Sequence, residues 1–152
     1  MRVPMQCVID TVILQSANAE LTVQPKKSAL INKRFELLER IGKRELIALV
    51  SERLINEYQN HLREPRNTYI RAFLELLVRP DGTKIKFNWK KRWPTSDQEI
   101  ARNCGFPKHD DHLLRTAILA DGVKSSILTE EQKLISTDKC IHRTFRVHIH
   151  MP

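Results

Sequence analysis

The chain has 152 residues, 41% hydrophobic and 29% charged, with a formal net charge of +8. That is enough apolar material for one domain with its own core, and it excludes wholesale disorder. No apolar run approaches the roughly 18 residues of a spanning helix, and Pro4 and Asp10 interrupt any signal-type stretch after Arg2, so neither a membrane protein nor a secretory leader is expected.

The predicted elements alternate strand and helix. Met5–Ile9 reads as a buried strand, closed by Asp10 and followed by a second apolar segment, Val12-Ile13-Leu14. Residues 29–41 read as a helix with Leu30, Ile31, Phe35, Leu37, Leu38 and Ile41 on one face, stopped by Gly42. Residues 45–50 read as a second strand. Ser51 then caps a helix over 53–62, with Leu54, Ile55 and Tyr58 inward, and Pro65 ends it. Asn67 caps the next helix, through Val78, with Ile70, Phe73, Leu74 and Leu77 as its stripe. After the turn at Arg79-Pro80-Asp81-Gly82, residues 83–89 read as a short strand or hairpin arm, and Ser96 or Asp97 caps a brief helix through Asn103. Asp110 or Asp111 opens a helix carrying Leu113, Leu114, Ala117, Ile118 and Ala120, which Asp121-Gly122 ends. Ser125–Leu128 is a third buried strand, 130–135 a short helix and 145–149 a last strand. This alternation predicts a mainly parallel sheet covered on both faces, with the ligand crevice beyond the carboxyl ends of its strands.

Charged residues set the functional question. A carboxylate buried at Asp10 without a partner costs several kcal/mol, so hydrogen-bond donors or a divalent cation should compensate it. Further acids lie at Glu57, Asp110-Asp111 and Glu130-Glu131, where apolar segments begin or change character. Converged at one sheet edge, they would make an oxygen-rich pocket for Mg²⁺ or Mn²⁺. Each has an ordinary alternative: Asp10 ends a strand, Glu57 faces solvent on a helix, and Asp111 or Glu131 caps helix N–H groups. His109, His112, His142, His148 and His150 fit no standard zinc spacing, and oxygen-rich surroundings favour harder cations. Cys7, Cys104 and Cys140 are odd in number and widely spaced. They predict free thiols in a reducing cytoplasm, with no disulfide framework.

The positive charge favours an anionic partner, most commonly nucleic acid. Trp89-Lys90-Lys91-Arg92-Trp93 mixes cations that neutralise phosphates with aromatics that stack unpaired bases. Two core tryptophans beside a solvated basic face would read the same way. Lys26-Lys27 and Lys33-Arg34 offer a second basic patch or the outer side of a helix.

Four blocks, in this order, resemble the PIN domain family of metal-dependent ribonucleases. They are Val8-Ile9-Asp10-Thr11-Val12-Ile13-Leu14, Leu49-Val50-Ser51-Glu52-Arg53-Leu54-Ile55-Asn56-Glu57, Asp110-Asp111-His112-Leu113-Leu114-Arg115-Thr116-Ala117, and Ile127-Leu128-Thr129-Glu130-Glu131-Gln132-Lys133-Leu134. The closing stretch from Phe145 to Pro152 is similar to the family's last strand. The resemblance runs from Met5 to Pro152, with residues 80–108 as a basic, atypical segment within a single domain of residues 1–152. It implies a three-layer α/β/α fold with four to five strands. It further implies a Mg²⁺ or Mn²⁺ site built from Asp10, Glu57, Asp111 and Glu131, supported by Thr11, Ser51, Asp110 and Thr129, and hydrolysis of RNA by metal-activated water. Many relatives are toxins restrained by an antitoxin protein, and homodimers are common among them. The chain departs from the family at Val12 (usually Asn), at Glu130-Glu131 (usually Gly-Asp) and at Lys133 (usually Asp). These departures motivate a second reading, a catalytically weak PIN-like module that binds RNA or protein. A structure-specific DNA nuclease is a third.

Overall fold

The computed structural model describes residues 4–20, 29–89, 92–119 and 124–152. Strand β1 (Met5–Ile9) leads through Asp10 into helix α1 (Thr11–Asn18), and α2 (Ala29–Gly42) returns the chain to β2 (Leu46–Val50). Helices α3 (Glu52–His61) and α4 (Thr68–Val78) connect β2 to β3 (Ile85–Phe87). Helix α5 (Thr95–Asn103), a 3-10 turn at Lys108–Asp110 and α6 (Asp111–Ala117) precede β4 (Ser125–Leu128). Helices α7 (Gln132–Ile135) and α8 (Asp138–Phe145) lead to β5 (Val147–His150).

The sheet order is β3-β2-β1-β4-β5, and every pairing is parallel. The expected α/β/α architecture with a five-stranded parallel sheet is therefore present. Helices α1–α4 pack on one another, while α6 meets β4, β1 and β2 and α8 meets β5. Strands covered on both faces read as continuous apolar runs. Accordingly Cys7, Val8, Ile9, Leu46, Ala48, Leu49, Val50, Ile127 and Leu128 are all buried in one core.

The sequence places most elements within a residue or two, and the exceptions have local causes. Ser51 accepts the Leu54 N–H and Asn67 the Ile70 N–H, so both expected caps are present. Asn67 also donates from Nδ2 to the carbonyls of Ala17 and Glu20, tying the start of α4 to the end of α1. The Val12-Ile13-Leu14 segment proves to be helical: Ile13, Leu14 and Ala17 face the core while Val12 is 41% exposed. Helix α5 starts at Thr95, with Pro94 at the N-cap position in place of Ser96 or Asp97. Phe145 ends helix α8 instead of opening the last strand. That helix buries only Ile141 and stops at Arg146 in the left-handed region (φ 58°). Ala120, Asp121 and Gly122, expected to finish α6, lie outside the described residues.

The cysteine expectation is corrected. Cys104, just after α5, and Cys140, on α8, form a disulfide across 36 residues, and only Cys7 is a free thiol, buried in β1. Neither spacing nor count reveals the pairing, because the fold brings two distant helices together. No helix among the described residues is long and apolar enough to cross a membrane.

Candidate functional site

The chain crosses from β1 to β2 on one side and from β3 over to β4 on the other. The direction of winding thus reverses between β1 and β4, and a crevice opens beyond their carboxyl ends. Asp10 stands there, 7% exposed. Its backbone N–H bonds the Leu128 carbonyl at 2.9 Å, and its Oδ2 accepts the Thr129 hydroxyl at 2.8 Å. Burial pushes the Asp10 carboxyl above the usual range. The Thr129 bond opposes this, and the negative charges of Asp110 and Glu57 push it further up.

Glu57 reaches the same region from α3. Tyr58, buried beside it, donates its hydroxyl to the Ile9 carbonyl and so fixes the helix against the end of β1. The Glu57 carboxylate is clamped: Thr11 donates to Oε1 at 2.7 Å, and His112 Nε2 lies 2.9 Å from Oε2. The His112 bond, followed by that of Thr11, holds the Glu57 carboxyl down to about 2 against the opposing effect of burial. The His112 ring is 5% exposed, and its Nδ1 has no hydrogen-bond partner.

The paired aspartates sit in different surroundings. Asp111, taken above as the third acid, is ion-paired with Arg102, whose Nη1 also donates to the Phe106 carbonyl. Asp110, taken above as a supporting residue, is the one whose carboxyl feels Glu131 and Glu57. Burial raises it first, the His109 charge opposes, and those two carboxylates raise it again. Its Oδ2 is buried without a hydrogen bond, and the exposed His109 ring nitrogen lies 3.2 Å away. The carboxylates in mutual electrostatic reach are thus Asp10, Glu57 and Asp110, with Glu131 acting on Asp110.

The remaining expected residues fall as follows. Thr129 links Asp10 to the Glu131 backbone N–H, which bonds its hydroxyl at 3.1 Å. Ser51 touches no acid: it caps α3 and accepts the Thr116 hydroxyl at 3.1 Å, joining α3 to α6. Glu130 is held by Arg34 in a two-point pair at 2.6 and 2.7 Å, while Glu131 and Lys133 are exposed. Trp89 and Trp93 are half-buried, Arg92 is exposed, and Lys90 and Lys91 lie outside the described residues, as do Lys26 and Lys27.

An all-oxygen donor set suits a hard divalent cation, and Asp110 Oδ2 makes no hydrogen bond, with the His109 ring nitrogen 3.2 Å away. Among the described residues, no three His, Cys, Asp or Glu side chains are gathered closely enough to hold a metal ion. The fit is therefore one of donor chemistry and location alone.

Beside the acids lies a cleft of about 440 Å³ lined by Arg53, Trp89, Trp93, Lys108, His112 and Arg115, among others. Sequence reading singles out its tryptophans but not its cations, which come from α3, the 3-10 turn and α6. A more apolar groove of about 430 Å³ between α2 and α4 contains none of the candidate acids. Comparison with known proteins finds no matching family model, no matching curated protein and no matching solved structure.

Proposed function

We propose that this chain is a Mg²⁺- or Mn²⁺-dependent ribonuclease of PIN-like type, with Asp10 and Asp110 as the residues that would hold the cation. The observation that carries the reading is the buried, unbonded Asp110 Oδ2 in electrostatic reach of the buried Asp10 carboxyl, at the point where the winding of the sheet reverses. A bound divalent cation would relieve charge on the scissile phosphate and acidify an attacking water. The chain's own groups then have separable tasks. Thr129 orients Asp10. Glu57, ionised down to about 2 and clamped by Thr11 and His112, is a fixed acceptor for a water proton but a weak base. Asp10 and Asp110, with raised carboxyls, take up a proton more readily. Glu131 lies at the exposed rim, suited to contact through water.

The four blocks of PIN resemblance and the basic composition favour RNA as the substrate. A toxin role, an antitoxin partner and a homodimer rest on that resemblance alone. For the setting, the Cys104–Cys140 disulfide favours an oxidising environment, since such bonds are rare in a reducing cytoplasm. The alternative, a binding module without efficient catalysis, draws support from Glu130 and Asp111, whose carboxylates are already occupied by Arg34 and Arg102.

The deciding experiment incubates the purified chain with single-stranded RNA and Mn²⁺, beside Asp10→Asn and a chelator control. Cleavage that is lost in both controls supports the enzyme. RNA bound but uncleaved supports the module, and cleavage unchanged in Asp10→Asn refutes the site.

A further inference from the structure

The cleft beside the acids has features that carboxylate chemistry does not use. It shares Arg53 and Trp89 with a second hollow of about 350 Å³, which adds Phe87. Phe87 ends β3 with its ring 62% exposed, and Trp89 and Trp93 stand only half-buried nearby. Three aromatic rings within seven residues are thus left partly in water, although Trp93 also packs against the core. The Arg115 guanidinium lies 4.3 Å above the Trp89 ring, a flat layer of the kind on which nucleobases stack. Arg53, Lys108 and Arg115 line the cleft with positive charge, while its one acid, Asp111, is paired with Arg102.

Trp93 Nε1, a donor on the lining, is also buried without a partner. A ligand for this cleft is therefore flat, anionic and equipped with a hydrogen-bond acceptor.

We infer that the cleft is a subsite for one unpaired nucleotide of the substrate strand, its base on the tryptophan surface and its phosphates on Arg53 and Lys108. The choice of RNA as the strand rests on the ribonuclease reading above; the subsite itself does not. A base inside a duplex has both faces covered by its neighbours and cannot enter, so the subsite selects single strands.

The test is a titration of intrinsic tryptophan fluorescence of the full chain in a chelator, so that nothing is cleaved. The probes are a short oligoadenylate RNA, its deoxy counterpart, and the same RNA paired with oligouridylate. The single-stranded RNA is expected to quench the fluorescence and to bind at least about 10-fold more tightly than the duplex. Trp89→Ala should weaken it about 10-fold, the lower part of the range for one stacked base. Phe87→Ala, at an exposed position that does not endanger folding, should weaken it about 5-fold. Arg53→Gln should lower the slope of log affinity against log salt by about one phosphate contact. Weaker binding of the deoxy strand shows that the subsite contacts the 2′-hydroxyl, and equal binding that it reads base and phosphate alone; both support the subsite. Duplex bound as tightly as single strand, no quenching at all, or full affinity in both aromatic variants would overturn it. Manganese-dependent cleavage persisting in that case would leave the ribonuclease reading standing. Selective binding with no cleavage would do the reverse.

Discussion

Thr129→Val tests the buried hydrogen bond on which the orientation of Asp10 depends. The substitution preserves side-chain shape and deletes one hydroxyl. That hydroxyl, fully buried, donates to Asp10 Oδ2 at 2.8 Å and accepts the Glu131 N–H at 3.1 Å. A hydrogen bond to an ionised group contributes about 1.5–3 kcal/mol, and one between neutral groups about 0.5–1.5 kcal/mol. Glu131 is exposed, so water replaces most of the second bond. The loss should therefore be about 2–3 kcal/mol when Asp10 is charged and about 1 kcal/mol when it is protonated. The direction with pH follows from linkage. The Asp10 carboxyl is raised in the folded protein, so its contribution to stability is greatest at low pH and declines as pH rises through the folded value. Deleting the Thr129 donor raises that value further, so the gap between variant and wild type must widen with pH. Urea unfolding without divalent cations, at about pH 4 and about pH 8, measures it directly. Thr129→Ser, which keeps the donor, should show a small loss that does not change with pH. A Thr129→Val loss that is equal at both pH values, or below about 0.5 kcal/mol at the higher one, would refute the reasoning.

Glu57 should give the opposite pH signature. Its carboxyl is lowered to about 2, so the stability it provides is complete above the ordinary carboxylate range and is lost as pH falls toward about 2; Glu57→Gln should flatten acid unfolding in that window, and coincident curves would contradict the clamp. Asp110→Asn should reduce manganese-dependent RNA cleavage at least about 100-fold, about 2.7 kcal/mol at the transition state. Asp111→Asn should reduce it far less and act mainly by releasing Arg102; the reverse order in parallel rate measurements would restore Asp111 as the third acid. Reducing the Cys104–Cys140 bond should lower the unfolding free energy by about 3–4 kcal/mol, from the chain entropy of a loop closed across 36 residues. An unchanged urea midpoint in dithiothreitol would show that the bond does not form in solution.

What the sequence reveals about this fold is governed by distance along the chain. Ser51 and Asn67 are legible as caps because the N–H groups they satisfy lie three residues away. The parallel sheet is legible because both-face burial writes continuous apolar runs at Cys7-Val8-Ile9 and Leu46–Val50, with Ile127-Leu128 closing the third strand. Helix α8 escapes because Ile141 is its only buried residue, so no apolar stripe marks it. At the site, Asp10 follows β1 and Thr129 follows β4, while Glu57 within α3 is named through the PIN resemblance. The different surroundings of Asp110 and Asp111 are not legible, because Arg102, which pairs with Asp111, comes from another helix. The cations of the aromatic cleft and the Cys104–Cys140 pair are likewise products of tertiary packing and leave no local pattern.

The central claim, that Asp10 and Asp110 face one cation position with clamped Glu57 beside it, is tested most directly by anomalous scattering from crystals soaked in Mn²⁺. The account predicts a peak bound by the carboxylates of Asp10 and Asp110, with Glu57 still bonded to Thr11 and His112. A peak elsewhere, or none between those two aspartates at saturating Mn²⁺, would contradict it.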